Sequence, residues 1–136
     1  MPNPPKIDPA RGPRGRGVTL LPAKGRTGKP PAWPLPDRMD EDEAEAWAQL
    51  WATPQACAWE KLGWVRTVAR YCRAMVAAEG RNATPALLAQ VTALEDRLGL
   101  TPKAMRLLLW QIASDEVAEK RDGKTTSARG RLKAVG

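Results

Sequence analysis

Apolar residues recur at three- and four-residue intervals through the middle of the chain, and no stretch of useful length alternates apolar with polar positions. That period is typical of amphipathic α-helices. The first helix is expected over about 40–52, where Asp40 and Glu43 have the spacing of a capping box and further carboxylates suit the positive end of the helix dipole. We therefore predict an all-α fold, a small helical bundle of about four helices.

Three Thr-Pro pairs mark the expected starts of the other helices, since threonine caps a helix N-terminus and proline suits its first turn. These pairs are Thr53-Pro54, Thr84-Pro85 and Thr101-Pro102, with Asn82 as an alternative cap for the second. The helices are expected over 54–79, 84–98 and 102 to about 117. Gly80 and Gly99 follow the first two of them and predict where they end.

The first 36 residues differ in composition from the rest: ten are proline, five are glycine and seven are basic. Such a segment lacks the apolar surface that would offset the entropy of ordering, so residues 1–36 are predicted to be a disordered basic arm. Its end, Pro30 to Pro36, contains the large apolar Trp33 and is expected to dock against another surface. Residues 37–119 are then the helical core and oligomerisation domain, and residues 120–136 a basic flexible tail.

The chain carries 22 Lys and Arg side chains against 15 Asp and Glu, a net charge of +7, and the excess lies at its two ends. Basic ends of this kind release counterions from a phosphate backbone, so double-stranded DNA is the expected partner, although solubility alone would also explain them. The candidate DNA-binding residues are Arg11, Arg14, Arg16, Lys24, Arg26 and Lys29.

The residue types of the chain argue against catalysis. Histidine is absent, which removes the usual general acid and base at neutral pH, and so is a GxxxxGK[ST] phosphate loop. Cys57 and Cys72 have no second pair and are expected to be core residues in a reducing compartment. No apolar run is long enough to cross a membrane. We expect a soluble intracellular protein that is not an enzyme, with no cofactor and no metal site.

Two of the predicted helices are apolar on both sides. In helix 54–79 one stripe suits the core, while Trp64, Tyr71 and Met75 lie opposite it; in the last helix Leu107 and Trp110 lie on the far side. Either the second helix is central and both faces are buried within one chain, or the second face binds another subunit. A core of about 80 residues has little surface to cover these groups, which favours a subunit interface.

Two further features are candidates for DNA contact. Arg66, Arg70 and Arg73 form a row along helix 54–79, where they would face DNA or pair with the acids of the first helix. Residues 93–110 have the order helix, glycine turn, helix of a helix-turn-helix motif. The outer side of its second helix is half apolar, which suits protein contact better than base readout.

Two stretches, TPQACAWEKLGWVRTVARYCRAMVAAE (53–79) and ATPALLAQVTALEDRLGLTPKAMRLLLWQI (83–112), follow a basic arm that ends in PPAWPLP. In this order they resemble the terminase small subunits of tailed bacteriophages, particularly those that infect actinobacteria, over about residues 31–112. The resemblance implies a non-catalytic packaging protein that forms a homo-oligomeric ring, binds viral DNA and delivers it to the terminase large subunit in the host cytoplasm. The large subunit would carry the ATPase and nuclease activities.

The chain departs from the wider terminase family in lacking a separate N-terminal helix-turn-helix, so we assign DNA contact to the arm. Two other classes of protein stay open. One is a small helix-turn-helix transcription regulator that reads DNA through residues 101–113. The other is an adaptor whose basic ends bind an acidic protein.

Overall fold

The fold consists of α-helices and a small parallel sheet that pairs the two ends of the described chain. The computed structural model describes residues 17–114. In chain order the elements are β1 (Thr19–Pro22), α1 (Glu41–Leu50), α2 (Gln55–Leu62), α3 (Val65–Ala78), α4 (Pro85–Arg97), α5 (Pro102–Leu108) and β2 (Trp110–Ala113). Helix α3 packs against both α1 and α4. None of the described helices is long and apolar enough to span a membrane.

The predicted helix starts are confirmed for three helices. Asp40 Oδ1 accepts a hydrogen bond from the Glu43 backbone N–H at 2.7 Å, and Glu43 Oε1 accepts one from that of Asp40 at 3.1 Å, which completes the capping box of α1. The hydroxyl oxygens of Thr84 and Thr101 each accept one hydrogen bond, from the backbone N–H of Leu87 and Ala104, and so cap α4 and α5. Each cap is worth about 1 kcal/mol, because it satisfies a donor that the first helical turn leaves unpaired.

The single helix predicted over 54–79 is in fact two helices, α2 and α3, because the chain turns at Gly63. This residue has φ +71°, a left-handed conformation that glycine adopts at little cost. The Trp64 N–H donates to the Trp59 carbonyl at 3.0 Å, as at the end of a helix of the Schellman type. The turn gives α3 its own direction.

The all-α prediction is wrong at the two strands of the sheet: β1 lies in the predicted arm, and residues 110–113 form strand β2 instead of part of a helix that runs to about 117. Helix α5 ends at Leu108, and Leu109 has φ +59°. Strand β2 then pairs in parallel with β1, and the Thr19 N–H donates to the Leu109 carbonyl at 2.8 Å. The paired strands lie about 90 residues apart in the chain, so local periodicity carries no sign of them.

Residues 17–36, part of the predicted disordered arm, instead form a strap along the helical core, which we call the N-terminal strap. Leu21 of β1 is 2 % exposed and belongs to the main hydrophobic cluster. Farther along, Trp47 of α1 receives the Trp33 ring edge-on at a centroid distance of 5.0 Å, and its Nε1 donates to the Pro31 carbonyl at 2.9 Å. The expected docking of the proline-rich end is confirmed, and the packed domain begins before residue 37.

Four tryptophans form a continuous row through the core. Trp33, Trp47, Trp51 and Trp59 follow one another edge to face, with ring centroids 5.0, 5.5 and 5.6 Å apart. Such pairs add about 0.5–1.5 kcal/mol each beyond the area that they bury. The Trp59 Nε1 donates to the Leu98 carbonyl at 2.8 Å, which ties α2 to the turn after α4. The same row therefore holds the strap and the helices together.

Both cysteines are free thiols that pack in or against the core, as predicted. Cys72 is fully buried and its Sγ donates to the Glu43 carbonyl at 3.4 Å. Burial raises the pKa of Cys72 to about 11 and also raises that of Cys57. A raised pKa lowers the fraction of each thiol that is present as thiolate, the reactive form, at neutral pH.

Candidate DNA-binding and subunit-contact surfaces

The basic residues assigned to DNA fall into three groups. Arg11, Arg14 and Arg16 lie outside the described residues. Lys24 and Lys29 are exposed on the strap and form no ion pair within residues 17–114, so their charge is open to an anionic partner.

Arg26, the remaining member of the set, stabilises the fold. Its guanidinium pairs with Glu60, lies 5.5 Å from the centroid of the Trp51 ring and donates to the Lys29 carbonyl at 3.0 Å. Only 15 % of the Arg26 side chain is exposed. We therefore correct its assignment to DNA: its charge is matched, and its position holds the strap against α2.

The arginine row on α3 is divided between two roles. Arg66 and Arg70 are exposed and have no hydrogen bond or ion pair among the described residues. The Arg73 Nε donates to Glu43 Oε2 at 2.6 Å, as the alternative of pairing with the first helix predicted. Its guanidinium also lies 5.2 Å from the Trp33 ring centroid and donates to the Asp37 and Arg38 carbonyls. Arg73 thus joins α3, α1 and the strap.

The ion pair between Arg73 and Glu43 makes the stability of the fold depend on pH. The hydrogen bond from Arg73, opposed in part by burial, holds the pKa of Glu43 below its ordinary value of 4.5. A carboxyl group whose pKa is lower in the folded chain stabilises that chain fully above its ordinary pKa, and loses the contribution as the pH falls through the lowered value. The loss therefore begins below about pH 4.5.

Glu43→Gln is expected to lower the free energy of unfolding at pH 7 by about 1–3 kcal/mol, since the substitution leaves the Arg73 guanidinium without its charged acceptor. The free energy of unfolding of the variant should also fall less steeply than that of the wild type as the pH drops below 4.5. Urea unfolding at pH 7 and at pH 3.5 measures both effects. Glu45→Gln, on the exposed side of the same helix, is the matched control and should change neither. Equal destabilisation of the two variants would contradict this role of Glu43.

Helices α4 and α5 with the turn at Gly99 reproduce the predicted order of a helix-turn-helix, but the second helix is short. It has seven residues, so residues 101–113 are not one recognition helix. Its outer side carries the exposed Lys103 and Arg106 beside Leu107, which is 76 % exposed. A leucine exposed to this extent suits contact with a protein better than hydrogen bonding to base edges.

Most of the predicted subunit-contact residues are covered by their own chain. Tyr71 is 4 % and Trp110 8 % exposed, Met75 packs against the core, and the Trp64 ring centroid lies 5.9 Å from that of Trp110. Burial and the neighbouring Glu95 raise the pKa of Tyr71, in keeping with an enclosed phenol. The second apolar face is buried because α3 lies between α1 and α4, the alternative that places this helix at the centre. Leu107 alone of the five is widely exposed.

A different apolar surface, which sequence reasoning missed, surrounds the small sheet. Among residues 17–114, six of the seven exposed large apolar side chains lie on β1 or β2, next to a strand, or at the end of α2 or α5. We call this the sheet surface; its residues are Val18, Leu20, Leu62, Leu107, Leu109 and Ile112. The run Val18-Thr19-Leu20-Leu21 inside a segment rich in proline and glycine was the available signal for a strand.

A groove of about 270 Å³ between α1 and α3 is the acidic counterpart of the basic surfaces. Asp42, Glu45 and Glu79 line it, together with Met75 and Val76. In residues 17–114 no group of three or more His, Cys, Asp or Glu side chains could hold a metal ion. The groove therefore offers negative charge beside apolar side chains and no set of metal ligands among these residues.

Comparison of the chain with protein-family models, curated proteins and solved structures finds no match.

Proposed function

We propose that this chain is the small subunit of a phage terminase, a DNA-packaging protein that binds viral double-stranded DNA as a ring oligomer and passes it to the terminase large subunit in the host cytoplasm. The resemblance over residues 31–112 is the basis of the proposal. The structure supports it in that the three resembling segments pack as one unit. The proline-rich segment docks on α1 through Trp33, and the two longer segments supply the chain from α2 to β2.

The observation that carries DNA binding is the place where the basic N-terminal segment joins the domain. Because β1 and β2 are parallel, the chain enters at Thr19 beside Leu109, the residue that follows α5. Arg106 lies three residues before Leu109. The first described residues, Gly17 and Val18, therefore precede a strand that starts beside the end of α5 that bears Arg106.

This arrangement suits a duplex held by its phosphates. The unpaired Lys103 and Arg106 are on a folded element, while the N-terminal segment adds further charges from an adjoining point of attachment. Contacts of this kind position a protein on DNA and read no bases. A ring would present many copies of the surface to one duplex and convert weak contacts into avidity.

The purified full-length chain is expected to form a homo-oligomer that binds a long duplex with steep salt dependence, and to release no phosphate from ATP in the presence of Mg²⁺ and plasmid DNA. Sedimentation with and without DNA, together with a phosphate-release assay, measures these properties. A chain that stays monomeric with and without DNA at high micromolar concentration would contradict the packaging role. Turnover that Glu95→Gln or Asp115→Asn abolished would overturn the non-catalytic assignment.

The transcription-regulator alternative predicts a different response to mutation. A regulator that reads an operator through α5 would lose site-specific binding in Lys103→Ala/Arg106→Ala, while its binding to random DNA would change little. A packaging subunit held by phosphates would lose affinity for both duplexes by similar factors. Titration of the variant against a specific and a random duplex at two salt concentrations separates the two functions.

A further inference from the structure

The end of α4 and helix α5 enclose a groove of about 260 Å³, which we call the α4–α5 groove. Its lining residues are Asp96, Arg97, Lys103, Ala104, Leu107 and Leu108. Pockets that enclose a small molecule usually measure about 300–1,000 Å³. The size of the α4–α5 groove therefore suits one or two side chains of a protein partner better than a whole small molecule.

The part of the groove that belongs to α5 is mainly apolar. Ala104 is buried and forms the floor, and its small side chain leaves space above it. Leu108 packs against the core, while Leu107 is 76 % exposed, more than any other large apolar side chain in residues 17–114. An apolar side chain that enters the groove would therefore take apolar area of both partners out of water.

Cationic side chains surround these apolar residues. Arg97 and Lys103 line the groove and Arg106 follows on the same helix; all three are exposed, and none forms an ion pair within residues 17–114. Asp96 is the one carboxylate among the described residues that line the groove, and it accepts a hydrogen bond from the Thr101 hydroxyl at 2.7 Å. The charge around the groove is thus net positive, and its complement is a set of carboxylates.

The acidic helix of this chain supplies only half of that complement. Helix α1 exposes Glu41, Asp42 and Glu45, but the apolar residues on its exposed side are Ala44 and Ala48. None of the exposed large apolar side chains in residues 17–114 lies on α1. A second copy would therefore bring carboxylates without a side chain that fills the groove, which favours a different protein as the partner.

We propose that the α4–α5 groove docks an acidic segment of another protein, in which a large apolar side chain has Asp or Glu on both sides. The apolar side chain packs on Ala104 and Leu107, and the carboxylates pair with Arg97 and Lys103. Because Lys103 is also assigned to phosphate contact, the segment and duplex DNA compete for it. That competition rests on the proposed function, and it releases DNA when the partner binds.

The probe for docking is a labelled synthetic peptide with two leucines four residues apart among glutamates. Fluorescence anisotropy with the full-length chain, in the absence of DNA, measures its affinity. We expect saturable binding with a micromolar dissociation constant. Two control peptides separate the contributions: one replaces both leucines by alanine and keeps the charge, and the other replaces the glutamates by glutamine and keeps the leucines. Both should bind at least about tenfold more weakly.

Two substitutions in the groove should each weaken binding of the acidic peptide about tenfold or more: Leu107→Ser and Arg97→Gln. Both positions are exposed, so the variants are expected to fold, and circular dichroism monitors their helix content. Leu88→Ser and Arg70→Gln are the matched controls, because both residues are exposed and lie outside the groove. The controls should bind the peptide as the wild type does.

Competition with DNA gives a second readout. The acidic peptide should lower the affinity of the wild type for a duplex, and the duplex should lower the affinity for the peptide by the same factor, since coupling between two ligands is reciprocal. Leu107→Ser should bind the duplex as the wild type does, because a leucine makes no ion pair with phosphate. In this variant the peptide should no longer affect DNA binding.

Three outcomes would overturn the inference: no saturable binding of the acidic peptide up to about 1 mM, equal binding by the wild type and Leu107→Ser, or duplex affinity that saturating peptide leaves unchanged. A Leu107→Ser chain that loses the oligomer mass of the wild type would also overturn it, because a second copy would then occupy the groove. A wild type that binds the peptide but no DNA would overturn the proposed function and leave the docking site standing.

Discussion

Removal of residues 1–16 is expected to weaken binding to duplex DNA by two or more orders of magnitude at moderate salt, and to leave helix content and oligomer mass unchanged. The deleted segment holds four basic residues and one acid, and it precedes every described contact of the strap. For each phosphate that the shortened chain no longer neutralises, the slope of log affinity against log salt should become shallower by about 0.9. The proposed ring would repeat the segment in every copy, so the loss of affinity would multiply over the copies that touch one duplex.

The truncation must stop at residue 16, since removal of residues 1–29 would also delete β1 and the Arg26 contacts with Glu60 and Trp51. The matched control is Arg66→Gln/Arg70→Gln, which removes two unpaired charges from α3 and keeps the N-terminal segment. Fluorescence anisotropy at several salt concentrations gives affinity and slope for each protein. Full affinity in the truncated chain, or a larger loss in the α3 variant, would move the DNA contact away from the N-terminal segment.

The parts of the fold that could be predicted from the sequence are those that neighbouring residues determine. The capping box and the Thr-Pro starts depend on groups three residues apart, so Asp40, Thr84 and Thr101 identify their helices from the sequence alone. The break at Gly63 was also a local event. Gly63 is present in the sequence, but the helical period of apolar residues continues through it. A glycine within such a pattern does not by itself end a helix.

The parts that sequence reasoning missed depend on residues far apart in the chain. The composition of the strap, rich in proline and glycine, is typical of a disordered arm. Composition does not reveal that Leu21 and Trp33 pack against the hydrophobic cluster of the helices. Arg26 looked free for the same reason, since its partner Glu60 lies 34 residues away.

The prediction of a subunit interface on α3 was wrong for a related reason. A helical wheel shows that a side is apolar but not what covers it, and α1 and α4 cover α3 on two sides. The burial of Trp110 depends similarly on its strand, which exists only because β1 is its partner. The exposed apolar side chains therefore lie mainly around the sheet, and not on the helix faces that the sequence indicated. Assigning that surface required the fold.

Gly25→Ala is expected to lower the free energy of unfolding by about 3 kcal/mol or more, and so to separate the strap from the helices. Gly25 has φ +81°, and a Cβ built on it would lie 1.8 Å from the Ala52 carbonyl oxygen. The position of a Cβ is fixed by its own backbone, and the atom that it meets also belongs to backbone, so no side-chain rotation can relieve the contact. The strap would have to lift from the turn after α1, and Leu21 would leave the core with it.

Gly28→Ala separates this steric cause from backbone strain. Gly28 has φ +100° on the same strap, but a Cβ there would meet nothing within 4 Å, so only the conformational cost of about 1–2 kcal/mol applies. Thermal and urea unfolding of the two variants measure the difference. Gly25→Ala should in addition lose amide protection in both β1 and β2, because the two strands are hydrogen-bonded to each other. Equal destabilisation by the two substitutions would show that the approach of Gly25 to Ala52 does not hold the strap in place.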